Sequence, residues 1–211
     1  MIRFSLLGIP IQIHPWFWIT LVIIGGGSTA NSKDGILRLA LFILAGLISI
    51  LVHELGHALT GRAFGARSEI TLQAFGGLAA FVGARFTRPQ QFLVTAAGPV
   101  AQILLGLIPY LLIPGLFKLT SNAGYFWMIL TWISFAWALI NLLPVLPLDG
   151  GQMLNSLLGP ARIRTTLWVT IITSISAALI VFMDSGSIIF PLFLALFGWQ
   201  AWQALKQNAW R

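Results

Sequence analysis

The run His53-Glu54-Leu55-Gly56-His57 puts two imidazoles and a carboxylate within five residues of a chain dominated by Leu and Ile. On a helix, a spacing of four turns through about 400°, so both rings lie on one face about 6 Å apart along the axis and can grip one metal ion. Glu54 follows the first ligand and can reach a water on that ion without being a ligand itself, the arrangement a zinc hydrolase needs for its general base. The structural alternative is a pair of histidines hydrogen-bonding between helices beside a buried, neutral glutamic acid. The chain has only 3 His and 5 acidic residues in 211. Ionisable groups inside an apolar span are costly enough to be functional candidates by default, so their clustering favours the metal site.

The elements that must position this motif are membrane spans. The composition is 58% hydrophobic and 8% charged with a mean hydropathy of +0.91, far from a soluble domain. The expected fold is mainly α, a polytopic protein of about six transmembrane helices over 15–27, 36–64, 91–113, 124–143, 165–183 and 187–205, the first of them short. Residues 66–86, ARSEITLQAFGGLAAFVGARF, read instead as a small membrane-associated β-hairpin or re-entrant element around Gly76-Gly77. Residues 1–211 are expected to form a single intramembrane domain with its catalytic core at about 36–151. The N-terminus lacks the n-region, h-region and cleavage site of a signal peptide and is expected to be retained.

Charge orients these spans. With both termini cytoplasmic, Arg3, Arg62, Arg67, Arg85, Arg88, Arg162, Arg164, Lys206 and Arg211 face inside, leaving Lys33, Arg38 and Lys118 outside to complete the 12 basic residues. That asymmetry accounts for the pI of 11.2 better than nucleic-acid binding, for which there is no Lys/Arg cluster or motif. Trp16, Trp18, Trp168, Trp199 and Trp202 fall near span ends, as interfacial rings do. His14, followed by Pro15 at the mouth of the first span, reads as structural, and Gly98-Pro99 in the third span as helix packing.

Two imidazoles leave a catalytic zinc one protein ligand short, and with no Cys in the chain the missing donor must be His, Asp or Glu. Asp34 and Asp184 fall in outside loops and Glu69 in the hairpin, whereas Asp149 lies in NLLPVLPLDGG at the cytoplasmic end of the fourth span. Pro144 and Pro147 break that helix, and Gly150-Gly151 let the backbone turn closely enough to aim the carboxylate. Asp149 and Gln152 also have capping-box spacing, so a helix cap is the alternative role, and one residue could do both.

HELGH on an early span with NLLPVLPLDGG far downstream resembles the site-2 protease family of intramembrane zinc metalloproteases. The likeness extends to GIPIQIHP, to the FGG of the hairpin at 75–77 and to AAGPVAQ at 96–102, so it covers most of residues 8 to about 151. It implies one Zn2+ per chain on His53, His57 and Asp149, with Glu54 activating water. It also implies that Asn141 positions or polarises the scissile carbonyl, where an Asn at a span end could equally be a cap or interhelical glue. Leu142 stands where many members have Pro, and Gln102 where they have Asn. Both departures bear on substrate positioning.

The implied activity is hydrolysis of peptide bonds within or near transmembrane helices of single-span membrane proteins, in the bilayer of the cell membrane. The active site would lie toward the cytoplasmic side, in a polar cavity, and cleavage would often follow an earlier trimming of the substrate's outer part. Neither a PDZ nor a CBS domain fits in 211 residues, so regulation is expected from a separate protein. The alternative from another class is a metal-ion transporter or channel, in which intramembrane His, Glu and Asp mark an ion pathway. Such a pathway does not need Glu directly after a ligand His. A scaffold that keeps the metal only for stability has no evident need for the base either. An unwound substrate also needs partners for its backbone, and EITLQAF, residues 69–75, is the expected strand edge for it.

Overall fold

A computed structural model describes residues 1–74, 76–185 and 188–208. Phe75 of the expected strand edge, Gly186 of the loop before the last expected span, Ser187 at the start of that span, and Arg211 of the inside basic set lie outside the described residues. The elements are β1 (Ile2–Leu6), β2 (Ile9–Ile13), α1 (Pro15–Ile24), α2 (Lys33–Ala63), β3 (Arg67–Gln73), β4 (Gly76–Val82), α3 (Arg88–Leu112), α4 (Asn122–Asn141), α5 (Asp149–Leu158), α6 (Ile163–Ser185) and α7 (Ile189–Asn208). They divide into two compact units, one of Met1–Arg85 with Ala97–Ala138, the other of Phe86–Ala96 with Leu139–Arg211.

The fold is mainly helical with a small sheet, as the sequence implies, and four of the six expected spans have helices of spanning length and apolarity. Among the described residues four stretches are long and apolar enough to cross a membrane: Lys33–Ala63, Arg88–Leu112, Asn122–Asn141 and Pro160–Asp184. The first expected span becomes α1, whose 10 residues rise only about 15 Å. The last becomes α7, where Gln200, Gln203, Lys206 and Gln207 dilute the second half of the helix. Large apolar side chains such as Leu112, Leu139, Ile172 and Ile180 are exposed, as lipid-facing residues are.

In the first unit the sheet order is β1-β2-β3-β4, with β1/β2 and β3/β4 antiparallel and β2/β3 parallel. Alternate residues Ile9, Ile11 and Ile13 of β2 and Ser68, Ile70 and Leu72 of β3 are buried, the period of two expected of strands with one covered face. They pack on Phe17 and Leu21 of α1 and on Ile50 and Ala58 of α2. Ser68 donates to the carbonyl of Ala58 at 2.9 Å, tying β3 to the helix that carries the motif. Ser32 caps that helix by accepting from the Gly35 N–H at 3.0 Å, and Asp34 and Arg62 match the signs of its dipole at the two ends.

The hairpin over 66–86 is present as β3 and β4. However, β3 is an inner strand: Ile11–Ile13 pair with residues 70–72 on one side and β4 runs along the other. The expected docking edge at EITLQAF is therefore already occupied, and the sheet's edges are β1 and β4.

In the second unit, Leu167 and Ile171 of α6 and Ala201 and Leu205 of α7 form a buried cluster. Arg88 donates from Nε to the carbonyl of Ser156 at 2.9 Å and from Nη2 to that of Leu157, covering carbonyls at the C-terminal end of α5.

Candidate metal centre

His53, Glu54 and His57 lie on α2 and are buried, with 4%, 4% and 7% of their surface exposed. The helical spacing does what the sequence predicts. The two Nε2 atoms face each other at 3.0 Å, and the rings stand edge to face with an 82° angle between planes. Two nitrogens bound tetrahedrally to zinc at about 2.0–2.1 Å would lie about 3.3 Å apart, so the pair fits such an ion with a small opening.

The orientation of the first ring is fixed from behind. Its Nδ1 lies 3.0 Å from Oε1 of Gln102, a carbonyl oxygen that can only accept, so Nδ1 carries the proton and Nε2 keeps its lone pair for a metal. The Gln102 amide donates in turn to Ser49 Oγ at 2.9 Å, and Ser49 meets Ser134 at 3.0 Å. All four side chains are buried, and in such surroundings a satisfied polar chain holds its members more rigidly than it would in water. Sequence reasoning treated Gln102 only as a departure from a family pattern. Its available signal was an amide inside the apolar run AAGPVAQILLG. Gln102→Leu is expected to weaken zinc binding roughly 10–100-fold, the usual cost of losing the partner behind a ligand histidine. Competition against a chelator of known affinity measures it.

Two glycines admit the motif's side chains. A Cβ at Gly98 on α3 would sit on the His57 imidazole, and one at Gly77 on β4 would sit on the Glu54 carboxyl group. The Gly98-Pro99 pair is thus a close-packing feature, as the sequence suggests, and the start of β4 lies directly against the candidate base. His14 precedes α1 as its N-cap residue, and its backbone N–H donates to the Leu72 carbonyl at 2.9 Å, a structural place.

The other two candidates belong to the second unit. Asn141 is the last residue of α4. Asp149 is the first residue of α5, buried with 8% of its surface exposed. The capping box is absent: the residue before the helix is Leu148, and the Gln152 amide donates to the Pro147 carbonyl instead. Asp34, Glu69 and Asp184 are exposed, so burial separates Glu54 and Asp149 from the other acidic residues.

Residues 41–121 and 117–183 match the model of peptidase family M50. The chain belongs to peptidase family M50. Among similar proteins, the zinc metalloprotease MJ0392 of Methanocaldococcus jannaschii is 31% identical over 156 residues, covering 74% of this chain and 44% of the relative. Stage IV sporulation protein FB of Bacillus subtilis is 32% identical over 147 residues, covering 68% and 46%. The M50 chain thus spans less than half the length of these curated relatives. A solved structure, the site-2 protease from Methanocaldococcus jannaschii, superposes with a TM-score of 0.65 at 25% identity, covering 96% of this chain and 94% of that one.

Proposed function

We propose that this chain is an intramembrane zinc metallopeptidase that hydrolyses a peptide bond in the membrane-spanning segment of another protein. The observation that carries the reading is the paired Nε2 atoms of His53 and His57 with Glu54 on the next residue, buried within a helix long enough to span a bilayer. Burial supports Asp149 as the third ligand, giving one zinc per chain. A buried carboxylate needs compensation, and a cation supplies it. On this reading residues 36–151 form the core of one catalytic domain, open toward the cytoplasm, where most of the basic residues belong by the positive-inside rule.

Zinc bound there would polarise a carbonyl and lower the pKa of a water to about 7. The chain's own residues do the rest. Glu54, held in place by its contact with Gly77, takes the proton from the attacking water and delivers it to the departing amine. Gln102 keeps the His53 lone pair aimed at the ion. Asn141, by family likeness, donates to the carbonyl that is attacked.

A substrate helix must unwind before water can reach its backbone, and the freed groups then need partners. β4 is the suitable edge, since it lies at the margin of the sheet and begins against Glu54. Successive N–H groups of a strand alternate between its two sides, so of Leu78 and Ala79 one aims its donor at β3 and the other at the open edge. Proline at the outward one is expected to lower cleavage at least tenfold with zinc content unchanged. Cleavage at the wild-type rate by both stable variants removes β4 as the docking strand.

The reading as a whole is tested by metal removal. Purified protein in vesicles, stripped with a chelator, should lose cleavage of a single-span substrate and regain it with about one equivalent of Zn2+. Full activity in the stripped protein would rule the reading out.

A further inference from the structure

The first unit carries a half-open cavity of about 250 Å³ whose lining is almost wholly apolar, including Phe17, Leu21, Ile50, Trp132 and Trp137. Among the described lining residues the one hydroxyl, on Thr20, is engaged with the Trp16 carbonyl at 2.9 Å. Almost no polar surface faces it, so it offers little to a charged ligand. The volume is below the roughly 300–1,000 Å³ of pockets that enclose drug-sized molecules, and suits a single large side chain.

The position of the cavity gives that side chain its source. Ile50 precedes Glu54 by one helical turn on the same face of α2. Gly76, also in the lining, is the first residue of β4 and the neighbour of Gly77, which touches Glu54. The cavity therefore reaches the first residue of the edge strand, one position from the residue that lies against the candidate base, and Gly76 and Gly77 put no side chain into it.

Resting on the peptidase reading, we propose that this cavity is a specificity subsite that receives a large apolar side chain of the substrate flanking the bond to be cut. A strand laid along β4 alternates its side chains between two faces, so only one residue near the scissile bond can enter. An apolar pocket of this kind discriminates by shape and area alone. Leu or Phe at that position should be preferred over Ala by roughly 10–200-fold in kcat/KM.

Ala136 lines the cavity from an exposed position on α4, so a larger side chain there can fill the space without entering the core. Full-length protein in phosphatidylcholine vesicles is assayed with single-span substrates that carry Ala, Leu or Phe in turn at each position flanking the scissile bond. Glu54→Gln serves as the control. Wild type should show the preference at one position, and Ala136→Phe should reduce the Leu-to-Ala ratio at that position at least tenfold while zinc content stays normal. Trp132→Ala, a change at a residue 58% exposed, should shift the preference toward Phe. No preference in wild type, or an Ala136→Phe variant that slows every substrate by the same factor, overturns the subsite and points to an acyl chain or a packing role. An absence of Glu54-dependent cleavage of any substrate by wild type overturns the peptidase reading itself, and the subsite with it.

Discussion

Glu54→Gln is expected to abolish cleavage, by about 10²–10⁴-fold, while the purified protein keeps about one zinc per chain. The amide has nearly the shape of the carboxylate, so it fits the tight space against Gly77 where a Cβ on the strand would collide with it. It cannot accept the proton of the attacking water. The histidines and their support from Gln102 are untouched, so metal content separates loss of the base from loss of the site. Zinc lost together with activity would make Glu54 a ligand, and retained activity would assign the base to another residue.

The second large effect concerns Asp149. Asp149→Ala should weaken zinc binding by more than the roughly 10–100-fold expected for residues behind the ligands, because it removes a donor outright. Asp149 also opens α5, where a carboxylate interacts favourably with the helix dipole. If that were its whole role, the substitution would cost about 0.3–1 kcal/mol of stability and leave zinc affinity unchanged. Asp149→Asn keeps the size of the side chain, so equal zinc titrations for Asp149→Asn, Asp149→Ala and wild type would remove this residue from the ligand set.

The facing imidazoles were legible in the sequence because helical periodicity converts a spacing of four directly into a shared face, and His53 and His57 need nothing beyond their own helix to meet. The hairpin was legible for the same local reason, a run of strand formers followed by glycines, but Gly76 and Gly77 are not its turn: they are the first residues of β4, paired with Gln73 and Leu72. What was not legible depends on distant residues. The pairing of Ile11–Ile13 with residues 70–72 joins segments separated by two helices, and it turns β3 from an expected edge into an inner strand. The β1–β2 turn was hidden because Leu7, at a φ of 53°, occupies a position where Asn or Gly is the usual signal. The helix that starts at Asp149 was not legible, because Gly150-Gly151 read as a turn that aims the carboxylate and Gly costs about 1 kcal/mol relative to Ala inside a helix. Packing explains the difference: a Cβ at Gly150 would collide with the carbonyls of Leu142 and Leu143, and one at Gly151 with the backbone of Val145 and Leu146. Close approach in the second unit demands glycine there, and α5 forms in spite of it. Gln102 stood out only as a departure from a family pattern and not as the partner of His53, because that contact joins α2 to α3.

The central claim is that the intramembrane imidazole pair and its neighbouring glutamate serve peptide hydrolysis. The most direct measurement compares the membrane proteomes of cells carrying wild type and Glu54→Gln. The account predicts single-span proteins or fragments that accumulate uncut in the Glu54→Gln cells and are cut within or near their membrane segments in wild type. Indistinguishable proteomes, with a change in cellular zinc content as the difference between the two strains, would contradict it and indicate ion transport instead.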